Sequence, residues 1–568
     1  MRIERVTIDN YRSIKHVEFD LSPGLNAFIG ANSTGKSNIF NAINWLLGPV
    51  YPSFNSCRRE DHFKGDENNK IKIRLDFDDG HALTLDECKS VVGRNGKLEI
   101  KSGLFLDEES WNCSGEKREK YCSAYLGVER EILDYLPSNR WSLVGRILQE
   151  VNKKFSREEY THKDGRTQLK SAWLKELLTE ARDNLLFSVK DDRGENIMGR
   201  FTEILQEECA KQLNRPKEEL EIDLSLYDPW NFYKTLQLVV REHDADIQFQ
   251  ASNLGMGVQA AISVAILKAY SELNLANKSP IFIDEPELFL HPQAQRNFHR
   301  ILRELSNDTV LDDGSVREGT QVFYTTHSPN FLSAGNFDEI FLVRKNAEDG
   351  THLRFANVGK FIDDLKVRTG IETNYETLML HYRNAYENTG DTQKANEAFF
   401  ASKIILVEGQ SEALVLPLYF ESIGFDYVQQ GISIVRCGGK SEIDRFYRLY
   451  TEFGIPVFVI FDGDKQLAGT KEESENLRRN ASIFSVLGID PAPEYPDGMV
   501  HGNYLGFETE FGERVGITTS EKGLDLYIKV KDCLRDGTCE VPEWAPKVVT
   551  RLGALDSTNV GSVLKAPV

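Results

Sequence analysis

The rhythm of hydrophobic and polar positions changes several times along the chain. Up to about residue 125, short apolar or alternating runs (Arg2 to Ile8, Gly24 to Ile29, Lys70 to Phe77, His81 to Leu85) read as strands around one helix after residue 36. From about 126 to 220 the apolar spacing lengthens to three and four, as in "SAWLKELLTEARDNLL" and "RFTEILQEECAKQL", which predicts a charged helical insertion. Strand-like, glycine-bearing segments return over 221–375, among them "SPIFIDEPELFLHP" and "TQVFYTTHSPNFLS". A polar stretch within 376–400, "YRNAYENTGDTQKANEAFF", reads as a linker helix. Residues 401–568 alternate apolar strands (403 to 408, 432 to 436, 457 to 461) with helical stretches, the pattern of a parallel α/β sheet.

A chain of 568 residues is too long for one hydrophobic core, so two or three domains are expected. At 40% hydrophobic and 27% charged it reads as soluble and globular. It has no apolar run of the roughly 18 residues that a membrane helix needs. Its start, "MRIERVTIDNYRS", carries charges where a signal peptide is apolar, so the cytoplasm is the expected location and no membrane partner is expected. Eight scattered cysteines show no zinc spacing and read as reduced thiols. A net charge of -20 argues against coating nucleic acid by bulk attraction. A nuclease remains open, because metal-binding acids add negative charge and phosphate contact needs only a local basic groove.

The first chemical signal is "GLNAFIGANSTGKSNIFNAINWLL", where Gly30-x4-Gly35-Lys36-Ser37 follows an apolar strand and opens a helix with Ile39, Phe40, Ile43, Leu46 and Leu47 on one face. This matches the phosphate-binding loop of nucleotide-binding proteins. Backbone amides and the helix N-terminus hold phosphate oxygens, Lys36 neutralises charge and Ser37 holds Mg2+, within a set of Gly30, Asn32, Gly35, Lys36, Ser37 and Asn38. The glycosylation-like triplet Asn32-Ser33-Thr34 lies inside this loop and carries no separate meaning. The strand of "SPIFIDEPELFLHP" ends in Asp284, placed to hold Mg2+, and Glu285, placed to position the attacking water. His327, at the end of the next strand, is placed to contact the γ-phosphate. Ser252, Gly255 and Gly257 stand before an apolar helix and supply an anion site; a dinucleotide fingerprint there lacks its third glycine and its strand.

The second signal is "KIILVEGQSEALVLPLYF". An apolar strand ends at Glu408, and Glu412 sits in the first turn of the following helix. Alone, the two acids fit a strand edge and a helix cap. About fifty residues later "IPVFVIFDGDK" ends another strand in Asp462-Gly463-Asp464, Gly463 allowing a tight turn. Four acids at two strand ends repel one another unless cations neutralise them, and oxygen-only ligands suit Mg2+ or Mn2+. In "RCGGKSEIDRF", Gly438 and Gly439 read as a turn, and Lys440 as a contact to nucleic-acid phosphate.

The nucleotide motifs, in this order, resemble the ABC-type ATPases of the RecF, SMC and OLD (overcoming lysogenization defect) branch, and "IERVTIDNYRSIKHVEFDLSPGLNAFIGANSTGKSN" is very like that branch's N-terminal pattern. The strand-end glutamate, the second acid and the Asp-x-Asp resemble a Toprim domain, "ASKIILVEGQSEALVLP" being close to the OLD version. The resemblance implies an α/β chain: an ATPase domain in two halves (1–125 and 221–375) around the 126–220 insertion, then the 376–400 linker and a Toprim Rossmann-like domain at 401–568. It implies a signature segment at Ser252, Gly255 and Gly257 that completes another subunit's phosphate loop, hence a homodimer or higher assembly; the charged insertion itself reads as an arm, a dimerisation surface or a solvated decoration. No glutamine loop can be placed between residues 48 and 90.

At the Toprim domain the resemblance implies two-metal phosphodiester hydrolysis at Glu408, Glu412, Asp462 and Asp464. It further implies a later acid, Glu508 or Glu510 with Glu508 preferred, and a lysine, Lys547, whose alternative is an ordinary surface residue. The implied activity is an ATP-regulated, metal-dependent endonuclease that cuts or nicks DNA, or else RNA, in antiphage defence. A helicase or a reverse transcriptase with its RNA is a candidate defence partner. The rival is a RecF-type DNA-repair ATPase with a non-nuclease Toprim domain, against which the four retained acids speak. A topoisomerase would need a tyrosine-bearing cleavage domain, and a primase has no use for the ATPase.

Overall fold

The structure is a computed structural model that describes residues 1–48, 50–92, 97–107, 113, 118, 120–127, 148, 151–186, 188–213, 216, 239–242, 247–250, 255–272, 279–310, 314–369, 372–517 and 521–555. Residues 1–128 and 279–568 form one compact unit and residues 129–278 another. The second unit therefore runs past residue 220 and takes in part of what the sequence pattern assigns to the ATPase's second half.

The chain opens with β1 (Ile3–Tyr11) and β2 (Ile14–Asp20), an antiparallel pair, followed by β3 (Leu25–Ile29). β1 alternates, burying Ile3, Val6, Ile8 and Tyr11, whereas all five residues of β3 are buried, as a strand covered on both faces requires. The helix α1 (Lys36–Leu47) buries Ile39, Phe40, Ile43, Leu46 and Leu47, the face read from the sequence. Strands β4 (Lys72–Phe77), β5 (Ala82–Val92), β6 (Leu98–Leu106) and β7 (Ala124–Leu126) complete the first stretch.

Within the 129–278 unit lie two hairpins, β8 (Glu159–Thr161) with β9 (Thr167–Leu169) and β10 (Val239–Glu242) with β11 (Ile247–Gln250). The helices Lys170–Ala181, Ile197–Leu213 and Met256–Glu272 belong to the same unit.

The first unit resumes with β12 (Ile281–Ile283), the small hairpin β13 (Thr309–Val310) and β14 (Val316–Arg317), then β15 (Val322–Thr326), β16 (Ile340–Asn346) and β17 (Gly350–Arg354). An eleven-stranded sheet runs in the order β6-β5-β4-β1-β2-β17-β16-β3-β15-β12-β7. Its β16, β3, β15, β12 and β7 are mutually parallel, so the ends of β3, β12 and β15 that carry Gly30, Asp284 and His327 lie along one edge. Stacked Phe28 and Phe341 (ring centroids 4.9 Å apart) and Phe40 edge-on to Phe28 and Phe282 pin α1 to the sheet.

The stretch read as a linker is two packed helices, Tyr375–Asn388 and Thr392–Glu397. A second sheet follows, parallel throughout, in the order β19-β18-β20-β21: β18 (Lys403–Val407), β19 (Ile432–Arg436), β20 (Val457–Asp462) and β21 (Tyr504–Phe507). The linker is tied to both sheets. Buried Asn396 donates to the carbonyls of Pro329 (3.0 Å) and Leu332 (2.7 Å) and accepts from the Ala334 amide (3.0 Å), in the loop that follows His327. On its other side, Arg436 Nε donates to Thr389 O (2.7 Å) and the Tyr450 hydroxyl to Ala395 O (2.8 Å). The approach is so close that a Cβ on Gly438 would lie 2.2 Å from Asn388 O. Among the described residues no helix is long and apolar enough to cross a membrane.

Candidate functional site

The phosphate loop is shaped by two glycines at positive φ. A Cβ on Gly30 (φ 143°) would sit 2.3 Å from Val343 O of β16, and one on Gly35 (φ 109°) would sit 2.2 Å from Thr351 Oγ1 of β17. Neighbouring strands thus mould the loop directly. Thr351 Oγ1 donates to Thr34 O (2.7 Å), and Asn38 donates to Ser13 Oγ (2.7 Å), whose partner is Thr351 (2.8 Å). Lys36 is buried and its ammonium donates to Gly30 O and Ala31 O, both at 3.0 Å, across the loop. Burial lowers its pKa, against the opposing pull of Glu285 and Asp284. Asn32 is exposed on the loop and Ser37 in the first turn of α1.

Along the same edge, Asp284 is buried and accepts from the Thr325 hydroxyl, which in turn accepts from the Glu285 amide (3.0 Å). Glu285 stands at φ 49°, a left-handed backbone that a non-glycine residue adopts at a cost of about 1–3 kcal/mol. His327 Nε2 lies 4.0 Å from Glu285 Oε1. Burial and then Lys36 lower the His327 pKa, favouring a neutral ring. The sequence reading missed Glu287, whose carboxylate accepts from the His327 amide (2.6 Å) and the Thr326 hydroxyl (2.8 Å) and so fixes the histidine's backbone. Burial raises the Glu287 pKa. Its signal was the third acid of "IDEPE", two places beyond the pair. Of the signature segment, Ser252 lies outside the described residues. Gly255 and Gly257 are exposed at the start of the helix Met256–Glu272 in the other unit.

The acids of the second sheet converge at the ends of β18 and β20, which pair directly. Glu408 ends β18 with Oε2 shut off from solvent and lacking any hydrogen-bond partner. Burial first, then Asp464 and Glu412, push its pKa up to about 7, against the pull of Lys440. Glu412 is buried in the first turn of the helix Gln410–Ser422 and accepts from the Gly409 amide (3.0 Å), so the helix-cap reading holds for one of its oxygens. Burial raises its pKa too. Asp462 accepts from the Phe511 amide (2.9 Å); burial, then Glu412, Glu408 and Asp464, hold its pKa well above the usual carboxylate range.

Gly463 is required by crowding rather than by a left-handed turn. A Cβ there would meet Pro496 at 2.6 Å and the carbonyls of Phe507 and Glu508 at 2.7 Å. Asp464 takes the left-handed conformation instead, at φ 51°.

Lys440 corrects an expectation. It does not reach outward to nucleic acid: its side chain is 2% exposed, and its ammonium donates to Asp464 Oδ2 (2.5 Å), Asn476 Oδ1 (2.8 Å) and Asn480 Oδ1 (3.2 Å). Glu508 is paired with Lys465 at 2.5 Å, which lowers its pKa. Glu510 pairs with Lys522 (2.9 Å) and shares the donor Gln466 with Asp464 (3.0 and 3.1 Å), so Glu510 rather than Glu508 is linked to the acidic centre. Lys547 faces Glu543 one turn back at 3.5 Å with 64% of its side chain exposed. The lysines whose charge bears on the acids are Lys440 and Lys522.

Among the described residues no three His, Cys, Asp or Glu side chains already stand in a metal-holding arrangement. The donor set nonetheless fits a hard divalent cation. Several buried carboxylates raise one another's pKa, and one keeps an oxygen without a partner, so a cation relieves both costs.

Residues 399–464 match the family model described as overcoming lysogenization defect protein-like, TOPRIM domain, and residues 1–126 and 112–332 match the AAA ATPase domain. Among curated proteins the chain is similar to the OLD nuclease of Thermus scotoductus, 27% identical over 493 residues covering 84% of this chain and 85% of the relative. It is similar to the Old nuclease of Escherichia phage P2, 25% identical, with 82% and 77% covered. It is also similar to the endonuclease GajA of Bacillus cereus (strain VD045), 22% identical, with 87% and 80% covered.

Proposed function

We propose, starting from the fact that this chain belongs to the OLD (overcoming lysogenization defect) family of ATPase–nucleases, that its acidic centre cuts or nicks DNA with divalent metal and that ATP regulates the cut. One observation carries the metal reading: the unpartnered Glu408 Oε2 among acids whose pKa values are raised. Glu408, Glu412 and Asp462 would hold Mg2+ or Mn2+. Such an ion, when bound, lowers the pKa of a water and offsets charge on the scissile phosphate. The protein's own contribution is to hold these carboxylates away from water, poised to release their protons to solvent when a metal takes their place. Lys522, exposed beside Glu510, adds positive charge at the mouth. The role in antiphage defence and the homodimer follow from the family resemblance.

The test is supercoiled plasmid incubated with the full chain. Nicked or linear product is expected with Mg2+ or Mn2+ and none with EDTA. Failure to cut DNA or RNA with any divalent metal would end this reading.

In the ATPase, Lys36 and Ser37 would meet the β- and γ-phosphates and Mg2+, with Asp284 at the metal and Glu285 at the water. The path for regulation runs through Asn396. Its amide grips the loop after His327, while the same linker is held by Arg436 of β19 and by Tyr450 of the helix Lys440–Glu452. A shift of that loop on γ-phosphate binding is therefore passed to β19 and the turn before Lys440. Asn396→Ala is expected to shrink the effect of ATP on cleavage about two- to thirtyfold, the scale of a coupling of about 0.5–2 kcal/mol. An unaltered ATP response in the folded variant, compared in parallel cleavage time courses, would exclude this route.

A further inference from the structure

The buried ammonium of Lys440 is unusual on three counts. It starts the helix Lys440–Glu452, where the helix dipole disfavours a cation. Almost none of its side chain reaches solvent, yet its three proton directions all end on side-chain oxygens: Asp464 Oδ2, Asn476 Oδ1 and Asn480 Oδ1. The two asparagines are themselves fixed, each donating to Gly463 O (2.8 and 3.0 Å), and Asn480 also to Glu494 O (3.1 Å). This is a built cage for one cation, and it closes on the Asp462-Gly463-Asp464 turn.

We infer that Lys440 is a resident cation of the nuclease centre that neutralises Asp464, so that the centre loads one divalent ion, through Glu408, Glu412 and Asp462, rather than two. The inference rests on the metal-dependent reading above and sharpens it. Both oxygens of Asp464 already have donors, Lys440 on Oδ2 and Gln466 on Oδ1, whereas Glu408 Oε2 has none. Glu412 and Asp462 each receive one backbone amide on one oxygen. A second divalent ion would meet the fixed ammonium at Asp464, a like-charge contact in a buried site.

The experiment is an Mn2+ titration of the nucleotide-free full chain, in a Ser37→Ala background so that the phosphate loop adds no ion, read by calorimetry and by the spectroscopic signal of free Mn2+. One Mn2+ per chain is expected. Glu408→Gln should weaken it about 10- to 100-fold, the scale on which loss of a metal-site group falls. Asp464→Asn should keep one Mn2+, held more weakly because Lys440 then stands without its counter-charge. Lys440→Met, if folded by circular dichroism, should admit a second ion. Two ions in the parent protein, or loss of the ion in Asp464→Asn, would overturn the inference and leave the metal reading standing. No bound ion at all would sink the metal reading itself.

Discussion

Glu408→Gln is expected to lower plasmid cleavage by about 10²- to 10³-fold, the rate equivalent of the several kcal/mol that metal-stabilised charge supplies, while ATP hydrolysis stays near the parent rate. The substitution preserves volume and removes only the charge, so a loss of packing does not explain the outcome. The metal-free protein offers a second readout. Glu408 has its pKa raised by burial from the ordinary glutamate value to about 7. Between those values the folded state keeps a proton that the unfolded chain has lost, so stability falls as pH rises through that window. In EDTA, the melting temperature of the parent should therefore drop from about pH 4.5 to pH 7 by more than that of Glu408→Gln. Added Mn2+ should restore it in the parent at about 10- to 100-fold lower concentration than Glu408→Gln requires for the same stabilisation. Cleavage that survives in Glu408→Gln would remove this residue from the centre.

What the sequence made legible were features whose partners are near in the chain. The phosphate loop, the apolar face of α1 and the ends of β18 and β20 depend on local spacing, and the structure has them where the pattern puts them. Strands β2, β6 and β7 escaped notice. β7 has only three residues and acquires its place from pairing with β12, across a gap of more than 150 positions. Residues whose meaning comes from distant contacts were equally hard to read. Gly463 looked like a turn glycine, but it is glycine because Pro496 and the carbonyls of Phe507 and Glu508 crowd it. Lys440 looked like a contact to nucleic-acid phosphate; its partners are a carboxylate 24 residues away and amides 36 and 40 residues away. Nothing in the local pattern distinguishes a lysine that faces solvent from one that fills a cage.

Glu285→Gln is expected to reduce ATP hydrolysis by about 10²-fold or more, the range over which a positioned proton acceptor contributes, with nucleotide binding retained. Lys36→Ala is expected to lose binding as well. The difference follows from where each group stands. Lys36 spans the loop itself, on the carbonyls of Gly30 and Ala31, and its charge is the one that phosphate would meet. Glu285 lies off the loop at the end of β12, held in a left-handed backbone with its amide on Thr325 and its carboxylate 4.0 Å from His327. Strain of that kind persists only where surrounding contacts enforce it, and here it aims a carboxylate at the edge shared with the phosphate loop. A glutamine of the same shape keeps the aim and cannot accept the proton. Fluorescent-nucleotide binding measured beside phosphate release separates the two effects. Equal hydrolysis by the parent and Glu285→Gln would move the water-positioning role elsewhere, with Glu287, already bonded to the His327 amide, as the next acid to replace.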